Sequence, residues 1–207
     1  MEILRAHPAV DPGAVGLFGH SEGGWVALRA LAQDAAAGYV VLNSCPAVSF
    51  LEAEVHALTT AGVGVERARG LFRRLQDAVR ADADLATAVR VIADEADPVL
   101  REVIERTGFR LTDESYSQLR AWIDYSPDAD LDRLRIPGLA IYGTHDQLTP
   151  VQASVDRLNQ LAPTVRSQVF VGADHRLCVD GTPAPGYLDA VADWCSSVPS
   201  GMDLPVR

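Results

Sequence analysis

A serine lies at the centre of a Gly-x-Ser-x-Gly pattern near the start of the chain. In the stretch VGLFGHSEGGWVAL, residues 15–28, an apolar run leads into Gly19, Ser21 and Gly23 and then into a helical pattern. In a sharp strand-to-helix turn, the two glycines let backbone approach backbone, and the serine is presented off the top of the sheet. The backbone N–H of Glu22, at the helix start, then points where an oxyanion would form. The pattern predicts a nucleophilic serine.

The elements that must position this serine predict an α/β architecture. Residues 14–18 are brief, apolar and bounded by glycine, as in a buried strand, and residues 39–42 form a second such run after a helical stretch at 25–33. Strand, helix and strand in this order imply a parallel pair with the helix on one face of the sheet. The pattern resumes with strands at 136–143 and 167–171.

Residues 48–124 have a different texture. They are rich in Ala, Arg, Glu, Asp and Leu and repeat their apolar positions with a period of 3.6 residues. This pattern predicts several helices and no strand. The predicted organisation is therefore an α/β core of residues 1–47 and 125–207, interrupted by an all-helical insertion at 48–124.

Three segments in chain order resemble the α/β-hydrolase family. They are GHSEGGW at 19–25, YGTHDQLTP at 142–150 and VGADH at 171–175. The first of them, together with PAVS at 46–49 and LRAWIDYSPDADLDRLRIPGLAIYG at 119–143, is more similar to bacterial serine esterases with a helical cap than to lipases or dehalogenases. Dehalogenases of this fold have an aspartate where this chain has the serine. The resemblance implies a parallel-sheet hydrolase core in which the helical insertion is the cap that shapes substrate entry and excludes water.

The same resemblance implies a catalytic triad of Ser21, Asp146 and His175. The family places its nucleophile, acid and histidine in that chain order, each in a loop that follows a strand. Serine is a poor nucleophile at neutral pH, so His175 would take its proton while Asp146 fixes the imidazole tautomer. Asp174 and Asp180 compete for the role of the acid, although the side chains of neighbours such as Asp174 and His175 usually diverge.

Other polar residues near these motifs have structural interpretations. His20 precedes the serine, and the geometry of the turn predicts that it points away from the pocket and makes a structural hydrogen bond. Three widely spaced cysteines, Cys45, Cys178 and Cys195, fit neither a disulfide framework nor a zinc site and are expected to be buried free thiols. No cofactor and no metal is predicted.

The resemblance covers nearly all of this chain but only the C-terminal two-thirds of the family's domain. The family's nucleophile follows the fifth strand, so the first four strands and the loop that donates the second oxyanion N–H are expected to be missing. The strand at 14–18 would then be a sheet edge, which favours a homodimer through that strand.

Three interpretations follow from this partial match. The chain is part of a longer serine esterase, or a weakly active hydrolase that dimerises, or a non-catalytic remnant that binds a hydrophobic ligand or partner. The predicted substrate is a small-molecule acyl ester. A peptidase or a thioesterase of the same fold is an alternative, because one triad serves all three bonds.

Composition limits the partners further. The chain has 207 residues, a formal net charge of −10 and no basic cluster, so no nucleic acid partner is expected. No apolar run approaches the roughly 18 residues of a membrane span, and no basic segment followed by an apolar one begins the chain. We therefore expect no membrane partner and a cytoplasmic location.

Overall fold

The computed structural model describes residues 2–93, 98–107 and 111–198. Two compact units are present, one made of residues 1–48 with 127–207 and the other of residues 49–126. The first unit holds the sheet and the second holds helices. Every residue proposed above for chemistry belongs to the first unit.

A four-stranded parallel sheet forms the centre of the first unit, with its strands in the order β1-β2-β3-β4. Their bounds are β1 Leu17–His20, β2 Val40–Asn43, β3 Gly138–Gly143 and β4 Val165–Phe170. All four strands run in the same direction, so the loops that follow them lie at one end of the sheet. This arrangement confirms the predicted α/β parallel sheet.

Helices connect these strands, as parallel pairing requires. In the first unit they are α1 Glu2–Arg5, α2 Glu22–Ala32, α8 Asp128–Arg133, α9 Val151–Leu161 and α10 Tyr187–Ser197. A two-stranded antiparallel ribbon, β5 Cys178–Val179 with β6 Thr182–Pro183, lies between β4 and α10.

Burial on both faces explains why the sequences of the central strands, β2 and β3, are almost continuously apolar. Each residue of β2 and of β3 is buried, and Val41, Leu139 and Ile141 belong to one buried apolar cluster. Strands covered on both faces have no solvent side, so alternation with polar residues is absent. Trp25 of α2 is only 1% exposed, and its indole N–H donates to the carbonyl oxygen of Pro46.

The first strand differs from its predicted bounds. We predicted it at 14–18, whereas residues 12–14 form a 3₁₀ turn whose backbone is capped by the Asp11 carboxylate, and β1 begins at Leu17. Proline at residue 12 favours the turn, since it fixes φ and lacks an N–H for the ladder. β1 includes Gly19 and His20 of the motif, so Ser21 follows directly after the end of the strand.

β1 lies at an edge of the sheet, and Phe18 on it is 57% exposed. The N–H groups of Leu17 and Ser21 donate to the carbonyls of Tyr39 and Asn43 on the β2 side. Because backbone groups alternate in direction along a strand, the N–H of Phe18 points to the free edge.

The described residues of the second unit form helices joined by turns, with no strand among them. Its helices are α3 Phe50–Thr60, α4 Val65–Arg80, α5 Leu85–Ala93, α6 Pro98–Thr107 and α7 Asp113–Trp122. Ser49 and Glu52 form a capping box that starts α3, and Phe50 meets Phe72 of α4 edge to face at 6.2 Å. No helix within the described ranges is long and apolar enough to cross a membrane.

Candidate active site

Ser21 occupies the turn between β1 and α2 with an unusual backbone conformation. Its φ is +54° and its ψ is −129°, a region that L-residues rarely enter. The backbone N–H of Ser21 donates to the carbonyl oxygen of Asn43 at 2.8 Å, which holds the turn against β2. Strain of this kind persists only where the surroundings enforce it, and it often marks a functional position.

Gly19 is the glycine on which this turn depends. A Cβ at residue 19 would collide with the backbone of Gly23 and Gly24, so no larger residue fits. We expected Gly23 to be equally constrained, but a Cβ there meets no heavy atom of the described residues within 4 Å. Gly24 is the second tight position instead, because its Cα packs directly against the side chain of Cys45.

The backbone N–H of Glu22 is the first of helix α2. The leading N–H groups of a helix have no partner inside the helix, and here the N–H of Glu22 donates to no acceptor among the described residues. It is therefore available to an anion that forms beside Ser21, where the positive end of the helix dipole favours negative charge.

Asp146 lies in the turn directly after β3, where the chain leaves the buried sheet. Its side chain is 0% exposed, and one carboxylate oxygen accepts hydrogen bonds from the backbone N–H groups of Leu148 and Thr149, both at 2.9 Å. These two donors come from the same tight loop. They fix the carboxylate in one orientation without help from solvent.

His175 follows β4 and meets this carboxylate. Its Nδ1 lies 3.0 Å and 2.9 Å from the two oxygens of Asp146, and its side chain is 17% exposed. A carboxylate accepts, so Nδ1 carries a proton and Nε2 is left with a lone pair when the ring is neutral. This is the tautomer that a general base needs.

Burial and hydrogen bonding act in opposite directions on the pKa of Asp146. Burial raises it, whereas the hydrogen bond from His175 and those from the backbone of Thr149 and Leu148 lower it, and the net result is a pKa below the ordinary value. The Asp146 carboxyl group is therefore ionised at neutral pH.

The two competing acids have other positions. The carboxylate of Asp174 accepts hydrogen bonds from the backbone N–H groups of Arg176 and Cys178, both at 2.9 Å, so it organises its own loop. Asp180 lies in the turn between β5 and β6 with a φ of +50°. The hydrogen bonds of the described residues thus join His175 to Asp146 and to neither competitor.

The strand ends bring Ser21 to the same region. Ser21, Asp146 and His175 follow β1, β3 and β4, at the end of the sheet where ligands bind in open α/β folds. The ring of His20, the residue before Ser21, lies 5.1 Å from the ring of His175, centroid to centroid. Among the described residues no hydrogen bond joins Ser21 to His175, and Nε2 of His175 has no partner there.

A comparison with protein families identifies the family of this chain. Residues 2–190 match the model of the alpha/beta hydrolase family, which is most of the chain. The chain belongs to that family.

Solved structures share the fold of this alpha/beta hydrolase. DcsB, solved with its substrate analogue, is 20% identical with a TM-score of 0.58, and VinJ is 19% identical with a TM-score of 0.54. The esterase RhEst1 from Rhodococcus sp. ECU1013 is 21% identical with a TM-score of 0.50. The DcsB match covers 97% of this chain and 69% of DcsB. The VinJ match covers 90% of this chain and 67% of VinJ, and the RhEst1 match covers 91% of this chain and 68% of RhEst1. No curated protein matches this alpha/beta hydrolase.

Thr149 is a site residue that the sequence analysis did not identify. Its backbone N–H holds the Asp146 carboxylate, and its hydroxyl, 1% exposed as a residue, donates to the carbonyl oxygen of Ser44 and lies 3.4 Å from Nδ1 of His175. The hydroxyl ties the acid loop of the hydrolase to the end of β2. The signal in the sequence is weak, since it consists only of a threonine three residues after the aspartate.

His20 only partly follows its prediction. The expected structural hydrogen bond is present, with Nδ1 2.8 Å from the Asn43 side-chain nitrogen. The ring does not point away from the other motif loops, however, because it lies against His175. His20 and Asn43 are register partners at the ends of β1 and β2. The His20 ring therefore lies at the end of the sheet.

The three cysteines are free, as predicted, but only Cys45 is buried. Burial raises the pKa of the Cys45 thiol, which makes it inert as a nucleophile. The expectation of burial is wrong for Cys178 and Cys195, which are partly exposed because β5 and α10 lie at the surface of the unit. Within the described ranges, no group of three or more His, Cys, Asp or Glu side chains is placed to hold a metal ion.

Proposed function

We propose that this alpha/beta hydrolase is a serine esterase that cleaves small carboxylic esters through an acyl-serine intermediate, acting as part of a longer chain. The observation that carries the proposal is the pair of hydrogen bonds between His175 and Asp146, which leaves Nε2 of the imidazole unpartnered at the sheet end that holds Ser21. A neutral imidazole in this tautomer is the base that a serine hydroxyl needs.

The proposed reaction has two halves. In the first, Oγ of Ser21 attacks the ester carbonyl carbon, and its proton passes to Nε2 of His175. The resulting oxyanion accepts a hydrogen bond from the N–H of Glu22. The tetrahedral intermediate then collapses, the ester C–O bond breaks, and His175 returns the proton to the departing alkoxide as an alcohol.

Water completes the second half. Nε2 of His175 takes one proton from a water molecule, whose oxygen attacks the acyl carbon. The bond to Oγ breaks, the proton returns to Ser21, and a carboxylic acid leaves. In both halves Asp146 stays ionised and stabilises the imidazolium, for which its low pKa suits it.

The helical unit 49–126 occupies the chain position of the family's cap insertion, and we propose that it is one. The second oxyanion donor is proposed to come from a segment of the longer protein. A site with one donor instead of two typically turns over about 10²–10³-fold more slowly. The chain alone is therefore expected to be a weak enzyme whose serine is nevertheless activated.

A fluorophosphonate probe tests the proposal without needing fast turnover, because it forms a covalent bond with activated serines. We expect labelling of wild type and none of Ser21→Ala. Ser44→Ala is the matched control, since Ser44 also has a positive φ, +48°, but is 0% exposed. This control should be labelled like wild type.

Absence of labelling in a wild-type sample shown to be folded by circular dichroism would contradict the proposal and favour a non-catalytic remnant. If Ser21 is labelled, hydrolysis of matched ester, thioester and amide substrates of one acyl group distinguishes an esterase from a thioesterase or peptidase. We expect the ester to be cleaved fastest.

A further inference from the structure

A second histidine lies beside the proposed base. The rings of His20 and His175 are 5.1 Å apart between centroids, with an angle of 51° between their planes. The mechanism above uses only His175. His20 is adjacent in sequence to Ser21. Its charge matters, because a cation there would oppose the imidazolium that forms on His175.

Two side chains define the protonation of His20. Asn43, the register partner of His20 across β1 and β2, is 3% exposed and places its side-chain nitrogen 2.8 Å from Nδ1. On the other side of that amide, the hydroxyl of Tyr187 donates to Oδ1 of Asn43 at 2.9 Å. A phenol that donates requires the amide oxygen on its side, so the amide NH₂ group must face His20.

An amide NH₂ group can only donate. Nδ1 of His20 must therefore be an acceptor, which means that it carries no proton and that the neutral ring has its proton on Nε2. Burial raises the pKa of Tyr187, so the phenol keeps the proton that it donates to Asn43 throughout the neutral range. The hydrogen bonds therefore run in one direction: Tyr187 donates to Asn43, and Asn43 donates to His20.

Burial acts in the same direction as these hydrogen bonds and favours the neutral form of His20. Part of its ring is withdrawn from solvent, and this burial is the largest cause of a pKa below the ordinary value for histidine. His175 and Arg176 also lower the pKa, whereas the backbone of Asn43 and the carboxylate of Asp146 raise it. The neutral form is favoured overall.

We propose that His20 is a positioning residue for His175, held as the uncharged Nε2–H tautomer by Asn43 and Tyr187. This role rests on the proposed function. Asp146 fixes the Nδ1 edge of the His175 imidazole. The His20 ring lies against the same imidazole from a second direction. The uncharged ring limits rotation of His175 and adds no repulsion when His175 becomes an imidazolium.

Asn43→Asp tests the proposal with almost no change of shape. A carboxylate at residue 43 can still accept from Tyr187, but it accepts from His20 as well and so favours the protonated ring. We expect kcat at pH 7 to fall about tenfold with KM changed by less than about twofold, because the added cation opposes the imidazolium in the transition state. We also expect kcat to recover as the pH rises through the raised pKa of His20.

The double variant His20→Phe with Asn43→Asp is the matched control. It retains a ring of similar size and the new carboxylate but cannot hold the cation, so the additional pH dependence of kcat should vanish. His20→Phe alone should also lack it. An equal loss in the single Asn43→Asp variant and in the double variant would show that residue 43 matters only for folding, and would overturn the proposal.

Nitrogen-15 NMR of the wild-type chain reads the tautomer without reference to activity. Nδ1 of His20 should show the chemical shift of an unprotonated nitrogen and Nε2 that of a protonated one, from pH 7 to 8. A proton on Nδ1 would overturn the proposal even in an active enzyme. If instead wild type is inactive and Ser21 stays unlabelled, the positioning role fails together with the proposed function.

Discussion

Nδ1 of His175 lies within 3.0 Å of both carboxylate oxygens of Asp146, although 29 residues separate the two in the chain. The contact forms because β3 and β4 are neighbours in the sheet and both loops leave it at the same end. Asp146 has its remaining contacts with its own loop, so its orientation does not depend on the histidine. A carboxylate prearranged in this way selects the tautomer of the His175 imidazole before any substrate arrives, which is what the proposed function requires.

Replacing the acid with an amide tests that selection. Asp146→Asn is expected to reduce kcat by about 10³–10⁴-fold, because the NH₂ group stabilises the wrong imidazole tautomer. Asp174→Asn, one residue before the histidine, should cost less than about tenfold, since that carboxylate serves only its own loop. Steady-state kinetics on one ester compares the two. Equal losses would mean that Asp146 is not the acid.

The low pKa of Asp146 predicts how stability depends on pH. A carboxyl whose pKa is depressed by folding stabilises the native state above its ordinary value of about 3.9, and this contribution is lost as the pH falls through the lower folded value. The difference in free energy of unfolding between wild type and Asp146→Asn should therefore be largest near neutral pH and shrink in acid. Urea unfolding from pH 7 to pH 3 measures it. A difference that is constant with pH would contradict the prediction.

Two glycines of one motif should respond differently to the same added methyl group. Gly19→Ala forces a Cβ against the backbone of Gly23 and Gly24, which should destabilise the fold by about 1–3 kcal/mol and abolish labelling of Ser21. Gly23→Ala places its Cβ in open space within α2, where alanine is the better helix former by about 1 kcal/mol, so this variant should be at least as stable as wild type. Thermal unfolding of both variants tests the contrast. Equal destabilisation would show that the turn is not packed as described.

The free edge of β1 predicts self-association of the isolated chain, and we propose a homodimer through this strand. Phe18→Lys should shift the sample towards monomer, because a charge on an edge strand opposes pairing. Val26→Lys is the matched control, since Val26 on α2 is 55% exposed against 57% for Phe18 but lies outside the strand. Sedimentation velocity at several concentrations gives the result. A wild-type chain that is monomeric at every concentration would exclude the dimer.

The strand ends of this region were predictable because their signals are local. An apolar run that stops at a polar residue marks the end of a buried strand. The parallel pairing of the strands and the helical pattern of 48–124 were predictable for the same reason. The choice of Ser21, Asp146 and His175 as a triad came from the resemblance to the α/β-hydrolase family and stays a prediction. The start of β1 was predicted three residues too early, because a proline and a cap residue redirected the chain before the strand began.

The network around His20 was not predictable from local patterns. His20 and Asn43 are 23 residues apart, and Asn43 and Tyr187 are 144 apart. Their contact depends on the register of β1 against β2, in which a shift of one residue would turn the histidine to the other face. The open space beside Gly23 likewise depends on which neighbours surround the turn.

The groups assigned here to proton transfer all belong to residues 1–48 and 127–207, and the helical unit 49–126 provides none of them. The boundaries of that unit fall after β2 and before β3, outside the loops that hold Asp146 and His175. Exchange of this segment should therefore leave the proposed proton-transfer groups in place. Chimaeras joined at Val48 and Pro127 would test whether the proposed cap sets the substrate preference.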